Sequence, residues 1–276
     1  MNLRGVLEMT GMSDVGLKRT HNEDSIGNDT DVGLAVLADG MGGYRAGEVA
    51  SAIAINVVMD QVRQDLESRP PGELDEDTGY CKGSLMVRDA VTRANEIIYR
   101  TARSQPQCQG MGTTLLAVLF YDNRVTVAHV GDSRLYRLRE NELEQLTVDH
   151  SLVQELVDKG FYSPEEAKQS VQKNLVTRAM GVEPEVQMEV HEESVLPGDL
   201  FLLCSDGLTD LVEDREIHLT LSKYSANLEQ AAQRLIQTAN QNGGTDNISV
   251  ILARVLRPFT DTGRPSWYSK VLDWFG

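Results

Sequence analysis

Short runs of apolar residues recur along the chain and predict buried β-strands. Two of these runs flank Tyr121–Asn123, and because Asp and Asn readily adopt turn conformations, the two strands are predicted to form a hairpin. The runs are Leu34–Ala38, Thr113–Phe120, Val125–Val130, Leu200–Cys204 and Ile248–Val255.

Apolar residues at helical spacing predict helices between these strands. Because helices alternate with hairpin-forming strands, the sequence predicts an α+β fold with antiparallel sheets flanked by helices. The first predicted helix is Gly47–Gln64, with Val49, Ile53, Val57 and Val58 on its apolar stripe, and the second is Leu85–Thr101, with Val91, Ala94 and Ile98. A third helix begins at the capping box Ser163–Glu166. The last is Leu228–Asn240, which ends before Gly243–Gly244.

The composition is that of a globular protein, and its charge narrows the choice of partners. Of 276 residues 41% are hydrophobic and 25% charged, and the formal net charge is -16. The electrostatic field of so negative a protein repels nucleic acids and anionic membranes, so neither is a predicted partner. It also repels a phosphorylated substrate unless bound cations or an arginine compensate.

Cysteine usage and hydropathy predict a cytoplasmic protein. Cys81, Cys108 and Cys204 are odd in number and show no CxxC spacing, which is typical of reduced thiols. No apolar run approaches the roughly 18–20 residues of a membrane span, and no signal sequence is evident at the amino terminus.

Residues Pro258–Gly276 form an aromatic tail, set off by two prolines and ending in Trp274 and Phe275. Apolar aromatic side chains are rarely left in water, so the tail is predicted to dock. Docking on its own domain is favoured, and a partner or a membrane surface remains the alternative.

The acidic residues fall at the ends of the predicted strands. A single Asp-Gly is commonly a turn, but several strand ends can converge on one edge of a sandwich. Converging carboxylates repel, which raises their pKa values unless a cation compensates. Hard oxygen ligands without a histidine or cysteine cluster favour Mg²⁺ or Mn²⁺ over Zn²⁺. The acids are Asp39, Asp132, Asp206, Asp246 and the pair Glu23–Asp24, which follows Arg19.

Eight short motifs, taken in order, resemble the protein phosphatase 2C family of metal-dependent serine/threonine phosphatases, in its bacterial branch. The resemblance covers roughly residues 5 to 256. It implies a central antiparallel β-sandwich with helices on both faces, a phosphatase domain at 1–257, a flap at about 150–181 and a tail at 258–276. The motifs are Arg19–Asp24, Asp39–Gly43, Gly47–Ser51, Met111–Thr114, Gly131–Arg134, Asp149–Ser151, Ser205–Leu208 and Asp246–Ile248.

The resemblance also implies a role for each acidic residue. Two ions of Mn²⁺ or Mg²⁺ are expected, with a third position in related bacterial enzymes. By similarity, Asp39 bridges two ions with the Gly40 carbonyl, and Asp206 and Asp246 hold the second ion. Asp132 with Asp206 forms the third position, and Glu23 and Asp24 act through water. Arg19 binds the phosphate.

The implied reaction is hydrolysis of phosphoserine and phosphothreonine on proteins by direct attack of a hydroxide held by the ions. No phosphoenzyme is needed, and the expected protein is a monomer that opposes a serine/threonine kinase. Two alternatives stay open at this point: a pseudophosphatase that only binds a partner, and a hydrolase of small phosphate esters such as nucleotides.

The chain departs from the family at two positions where relatives carry histidine, which here are Met41 and Tyr44. The general acid is therefore expected to be a metal-bound water, with His21 as the alternative. His129 is predicted to be a packed core residue.

Two further pairs of residues are interpreted from the resemblance. Phe161 and Tyr162, within the implied flap, are interpreted as helix packing in preference to substrate contact. Ser133 and Arg134 are expected to support the loop of Asp132.

Overall fold

A computed structural model describes residues 2–42, 46–163, 166 and 175–259. Two antiparallel sheets form its centre. Along the first sheet the strands run β1 (Leu7–Asp14), β11 (Ile248–Val255), β10 (Leu200–Cys204), β7 (Arg134–Arg139) and β8 (Glu142–Gln145). Along the second they run β2 (Asp24–Asp29), β3 (Leu34–Met41), β5 (Leu115–Tyr121), β6 (Arg124–Val130) and β9 (Glu189–Ser194), and the short β4 (Gly112–Thr113) pairs with β3.

Helices connect these strands. Within the described residues they are α1 (Ala46–Ser68), α2 (Lys82–Ser104), α3 (Leu152–Asp158), α4 (Asp206–Thr209), α5 (Asp214–Tyr224) and α6 (Leu228–Gln241), with a 3₁₀ turn at Pro106–Cys108. Within the same ranges, none of the helices combines the length and apolar character that crossing a bilayer requires.

Three layers of buried side chains lie between these elements. The central layer joins the two sheets, and in it the rings of Phe120 and Phe201 meet edge to face with centroids 5.2 Å apart. A second layer packs α1 and α2 on the second sheet, and a third packs α5 and α6 on the first. The predicted sandwich with helices on both faces is therefore confirmed.

Burial on both faces explains why the strands read as continuous apolar runs. In β3, Val36 and Ala38 belong to the layer beneath the helices, whereas Ala35 and Leu37 belong to the layer between the sheets. A strand covered on both faces has no polar side to alternate with.

Strands β10 and β11 match their predicted bounds, and the predicted hairpin is confirmed. Asp122 and Asn123 form its turn with φ of 44° and 58°, a left-handed conformation that Asp and Asn tolerate better than most residues. The first strand was predicted too short, because β3 continues through Asp39 to Met41.

Helix α1 confirms the predicted stripe in part. Val58 is buried and Ile53 and Val57 pack partly buried against the core, whereas Val49 is 38% exposed. The buried face is wider than predicted, because it also carries the small residues Gly47, Ala50 and Ala54. Small side chains let the helix approach the sheet more closely than a valine stripe does.

The remaining predicted helices are confirmed to different extents. In α2 the residues Val91, Ala94 and Ile98 are buried as predicted. Gly243 and Gly244, after α6, have the positive φ values expected of them, 135° and 52°.

Ser163 and Glu166 form the predicted reciprocal capping box, in which the Ser163 N–H donates to Glu166 Oε2 at 2.8 Å and the Glu166 N–H to Ser163 Oγ at 3.2 Å. The body of that helix lies outside the described residues.

Two further sequence predictions concern the cysteines and the tail. Cys81, Cys108 and Cys204 are buried free thiols. Phe259, early in the predicted tail, is 4% exposed and packs in the layer between the sheets. Residues 260–276 lie outside the described ranges.

Candidate metal centre

Strands β2 and β3 bring the first two aspartates together. Asp24 and Asp39 are direct partners in the antiparallel register, so their side chains start from adjacent backbone positions. The backbone of Asp39 is fixed by its other neighbour. Thr114 Oγ1 accepts from the Asp39 N–H at 3.0 Å, and the Thr114 N–H donates back to the Asp39 carbonyl at 2.8 Å.

Asp132 reaches the same edge from the loop after β6. Gly131 precedes it with φ of 107°, and a Cβ at Gly131 would overlap the side chain of Thr114. Ser133 follows it and bonds to Thr114 Oγ1 at 3.0 Å. Thr114 therefore contacts both the strand of Asp39 and the loop of Asp132.

Arg134 holds the far side of that loop. Its guanidinium makes a bidentate pair with Asp149, with Nη2 to Oδ2 at 2.7 Å and Nε to Oδ1 at 2.9 Å. The expected support by Ser133 and Arg134 is thus supplied through Thr114 and Asp149, not by a direct bond to the Asp132 carboxylate.

The ends of β10 and β11 supply Asp206 and Asp246. Asp206 begins α4, and Ser205 before it donates from Oγ to Asp24 Oδ2 at 2.9 Å. Asp246 stands two residues before β11 and pairs with Arg19, whose Nη2 lies 2.7 Å from Asp246 Oδ2. Arg19 is half exposed, so it lies at the solvent side of the cluster.

A backbone-on-backbone contact forms the floor of this edge. A Cβ at Gly40 would overlap the carbonyl oxygens of Gly47 and Glu23, and a Cβ at Gly47 would overlap the backbone of Gly40. Both positions therefore require glycine. The start of α1 rests directly on the end of β3, beside Asp39.

The electrostatics reflect five carboxylates in a small volume. Burial raises the pKa of Asp39 well above its usual value, and the nearby charges of Asp24, Asp206 and Asp132 raise it further. Burial also raises the pKa of Asp206, with further increases from Asp132 and Asp246 among others.

Two members of the cluster have smaller shifts. Burial raises the pKa of Asp24 to about 6. The pKa of Asp132 also rises to about 6, through burial and then the charge of Asp149. Both directions are those of carboxylates that lack a compensating cation.

These residues fit divalent cations. Oδ1 of Asp24 and Oδ1 of Asp206 are buried and have no hydrogen-bond partner among the described residues. Unpartnered buried oxygens are rare, and oxygen-only donor sets suit Mg²⁺ and Mn²⁺. The predicted aspartates thus lie near enough to raise one another's pKa values, and they offer oxygen atoms of the kind that a hard cation binds.

A model of the family described as protein phosphatase 2C matches residues 17–253, which is most of the chain. The chain belongs to the protein phosphatase 2C family. It is similar to the serine/threonine protein phosphatase PstP of Mycobacterium tuberculosis, with 42% identity over 254 residues. That match covers 91% of this chain and 45% of PstP, so the chain spans about half the length of this relative.

Two further comparisons agree with the family. The serine/threonine phosphatase stp of Listeria monocytogenes is 38% identical over 255 residues, covering 91% of this chain and 96% of stp. The crystal structure of the catalytic domain of PstP in complex with two manganese ions has a TM-score of 0.76 at 40% identity, covering 91% of this chain and 99% of that one.

Within this protein phosphatase 2C fold, three residues to which the sequence had given no role contribute to the cluster. Ser205 bonds to Asp24 as described, and Asp210 adds negative charge beside Asp132 and Asp206. Asp210 stands one helical turn after Asp206, a spacing that could have indicated it.

Asn247, the third, is buried and holds the segment that leads to Glu23. Its Oδ1 accepts from the Glu23 N–H at 2.8 Å, and its Nδ2 donates to the carbonyls of Val15 and His21 at 3.0 and 2.9 Å. Its place directly after Asp246 was the available signal.

Burial tests the predictions made for His129, Phe161 and Tyr162. His129 is 1% exposed, which confirms that it is a core residue. Phe161 is 71% exposed, so the interpretation as helix packing is wrong for this residue, because its ring lies mostly in solvent. Tyr162, at 37%, is only partly covered. His21 is exposed, and Tyr44 lies outside the described residues.

Proposed function

We propose that this protein is a metal-dependent phosphatase that hydrolyses phosphoserine and phosphothreonine on proteins. The observation that carries the proposal is the convergence of Asp24, Asp39, Asp132, Asp206 and Asp246 with buried oxygens that lack partners. Membership of the family and the names of its relatives support the same reaction.

The proposed ligands are those that the resemblance implied. Asp39, with the carbonyl of Gly40, would hold ions of Mn²⁺ or Mg²⁺ together with Asp206 and Asp246. Asp132 shares a third position with Asp206, while Glu23 and Asp24 act through water. Two manganese ions in the PstP catalytic domain support the choice of metal. When bound, such ions lower the pKa of water and neutralise charge on phosphoryl oxygens.

Arg19 is proposed to bind the phosphate. Its guanidinium lies at the solvent side of the cluster, and a planar fork of N–H donors suits two phosphate oxygens better than an ammonium does. Binding there requires Arg19 to exchange at least part of its contact with Asp246. The phosphate and Asp246 would thus compete for the Arg19 guanidinium, and a metal ion held by Asp246 would weaken its pair with the arginine.

The direct test is turnover of a phosphothreonine peptide and of p-nitrophenyl phosphate with Mn²⁺ or Mg²⁺. Asp39→Asn and Asp206→Asn should each reduce kcat/KM by about a hundredfold or more, because each removes charge that holds the ions. Asp60→Asn, on an exposed face of α1 and 71% exposed, is the matched control and should keep activity. No turnover with either metal by folded protein would contradict the proposal.

The same assays separate the alternatives. A pseudophosphatase would take up no Mn²⁺ in calorimetry although it is folded. A nucleotide hydrolase would prefer nucleoside phosphates to phosphopeptides when both are offered at equal concentration.

The proposal extends to the protein's location, oligomeric state and partners. We propose a cytoplasmic monomer that opposes a serine/threonine kinase, without a nucleic-acid partner. The net charge of -16 supports the last of these. We also propose a phosphatase domain at 1–257, a flap at about 150–181 and a tail at 258–276. Phe259, the second residue of that tail, packs in the layer between the sheets.

A further inference from the structure

Beside the carboxylate cluster lies a second group of titratable side chains. His129 on β6, His150 just before α3 and Glu189 on β9 bring one ligand atom each within 4.8 Å of one another. The two imidazole rings stack with centroids 4.5 Å apart and planes 21° apart. Two histidines and a glutamate are a common zinc-binding set.

The hydrogen bonds of His150 argue against a cation here. The Gly131 N–H points at His150 Nδ1 at 3.1 Å, so Nδ1 must carry the lone pair. Nε2 then carries the proton and donates to Glu189 Oε1 at 3.1 Å. A neutral imidazole that binds a metal through Nε2 needs its proton on Nδ1, where it would meet the Gly131 N–H.

Arg178 excludes a cation independently. Its Nη1 donates to Glu189 Oε1 at 3.3 Å and lies 3.1 Å from His150 Nε2. With Nε2 protonated, that second contact is not a hydrogen bond, because both nitrogens are donors. The guanidinium charge nevertheless occupies the position that a metal would take. The group is therefore a hydrogen-bond network in which Arg178 fixes Glu189, and Glu189 fixes the tautomer of His150.

The network ends on the residue before Asp132. His150 contacts Gly131 twice, since the His150 N–H also donates to the Gly131 carbonyl at 2.9 Å. Thr114 contacts Gly131 from its other side. Gly131 has a positive φ of 107° and no side chain, so its position depends on these contacts with its neighbours.

We propose that His150 is a positioning residue, whose Nδ1 accepts the Gly131 N–H and thereby sets the place of the Asp132 carboxylate in the metal cluster. The inference rests on the proposed function, since it assigns Asp132 to ion binding. The remaining groups around the imidazole have supporting parts: His129 stacks on it, and Glu189 with Arg178 selects its tautomer.

Two substitutions separate this role from simple packing. Asparagine can present its Oδ1 where Nδ1 of histidine lies, whereas glutamine reaches the place of Nε2. His150→Asn therefore keeps an acceptor for the Gly131 N–H, and His150→Gln loses it while retaining more side-chain volume. His218→Asn is the control, because His218 is a half-buried histidine on α5 that bonds to the carbonyl of Asn141.

The measurement is Mn²⁺ affinity by titration calorimetry on the full chain. Loss of one backbone hydrogen bond corresponds to a change of about five- to tenfold in an equilibrium constant. The affinity of His150→Gln for its most weakly bound Mn²⁺ ion should therefore be lower than that of wild type by about this factor. His150→Asn and His218→Asn should stay within about twofold of wild type. Equal affinities in all four proteins, or a larger loss in His150→Asn than in His150→Gln, would overturn the proposal.

A second measurement needs no variant and stands if the substitutions prevent folding. Nitrogen-15 NMR of the wild-type protein should show His150 protonated on Nε2, with a coupling across the hydrogen bond between Nδ1 and the Gly131 amide. A proton on Nδ1 would overturn the inference. Failure of wild type to bind Mn²⁺ would instead contradict the proposed function, so the two failures are distinguishable.

Discussion

Replacing Asp132 by asparagine tests whether the carboxylates destabilise the protein when no cation is bound. The pKa of Asp132 rises from 3.8 to about 6 on folding, mainly through burial. A raised pKa means that the folded state disfavours the ionised form, so stability falls as pH rises from about 4 to about 6 and stays low above that range. At 1.36 kcal/mol per pKa unit, two units correspond to about 3 kcal/mol.

Asparagine does not ionise, so Asp132→Asn should raise the free energy of unfolding by up to about 3 kcal/mol at neutral pH. Near pH 4 the gain should fall below about 1 kcal/mol, because the wild-type penalty is then nearly absent. Urea unfolding with a metal chelator, followed by far-ultraviolet circular dichroism, measures both values.

Asp60→Asn, on the exposed face of α1, is the control and should change stability by less than about 0.5 kcal/mol. The reasoning fails if Asp132→Asn is no more stable than wild type at neutral pH, or if its gain is the same at both pH values.

Three further substitutions test the supports of the cluster. Ser205→Ala should cost about 1–3 kcal/mol in urea unfolding because it removes a bond to Asp24, and an unchanged midpoint would contradict this. Asn247→Ala should cost about 2–4 kcal/mol and speed amide exchange at Glu23, so unaltered exchange there would count against its role. Gly40→Ala should lower the free energy of unfolding by at least about 3 kcal/mol, since its methyl group would overlap Gly47. An unchanged free energy of unfolding would disprove that contact.

Much of the fold could be predicted because burial on both faces leaves a strong signal. Strands β10 and β11 are continuous apolar runs, and their bounds agree with the prediction. Strands β1, β2 and β9 were missed because most of their residues are only partly buried, so polar positions interrupt the pattern. The buried face of helix α1 was predicted too narrow, because part of it consists of small residues such as Ala50 and Ala54 that are not strongly apolar.

The carboxylates of the candidate site could be predicted, and the network that holds them could not. Asp39, Asp206 and Asp246 stand beside apolar runs and are visible in the sequence. Ser205 and Asn247 act across more than 180 positions of the chain, from Ser205 to Asp24 and from Asn247 to Glu23. Such pairs depend on which strand ends become neighbours, and propensity and periodicity carry no information about that.

The contact between Gly40 and Gly47 limits which substitutions the candidate metal centre can accept. Because β3 and α1 touch through their main chains, neither glycine can be replaced by a larger residue without separating the two elements. Variation beside Asp39 must therefore fall on positions nearer the solvent, such as the half-buried Met41. Random mutagenesis scored for folded protein should recover changes at Met41 and none at either glycine.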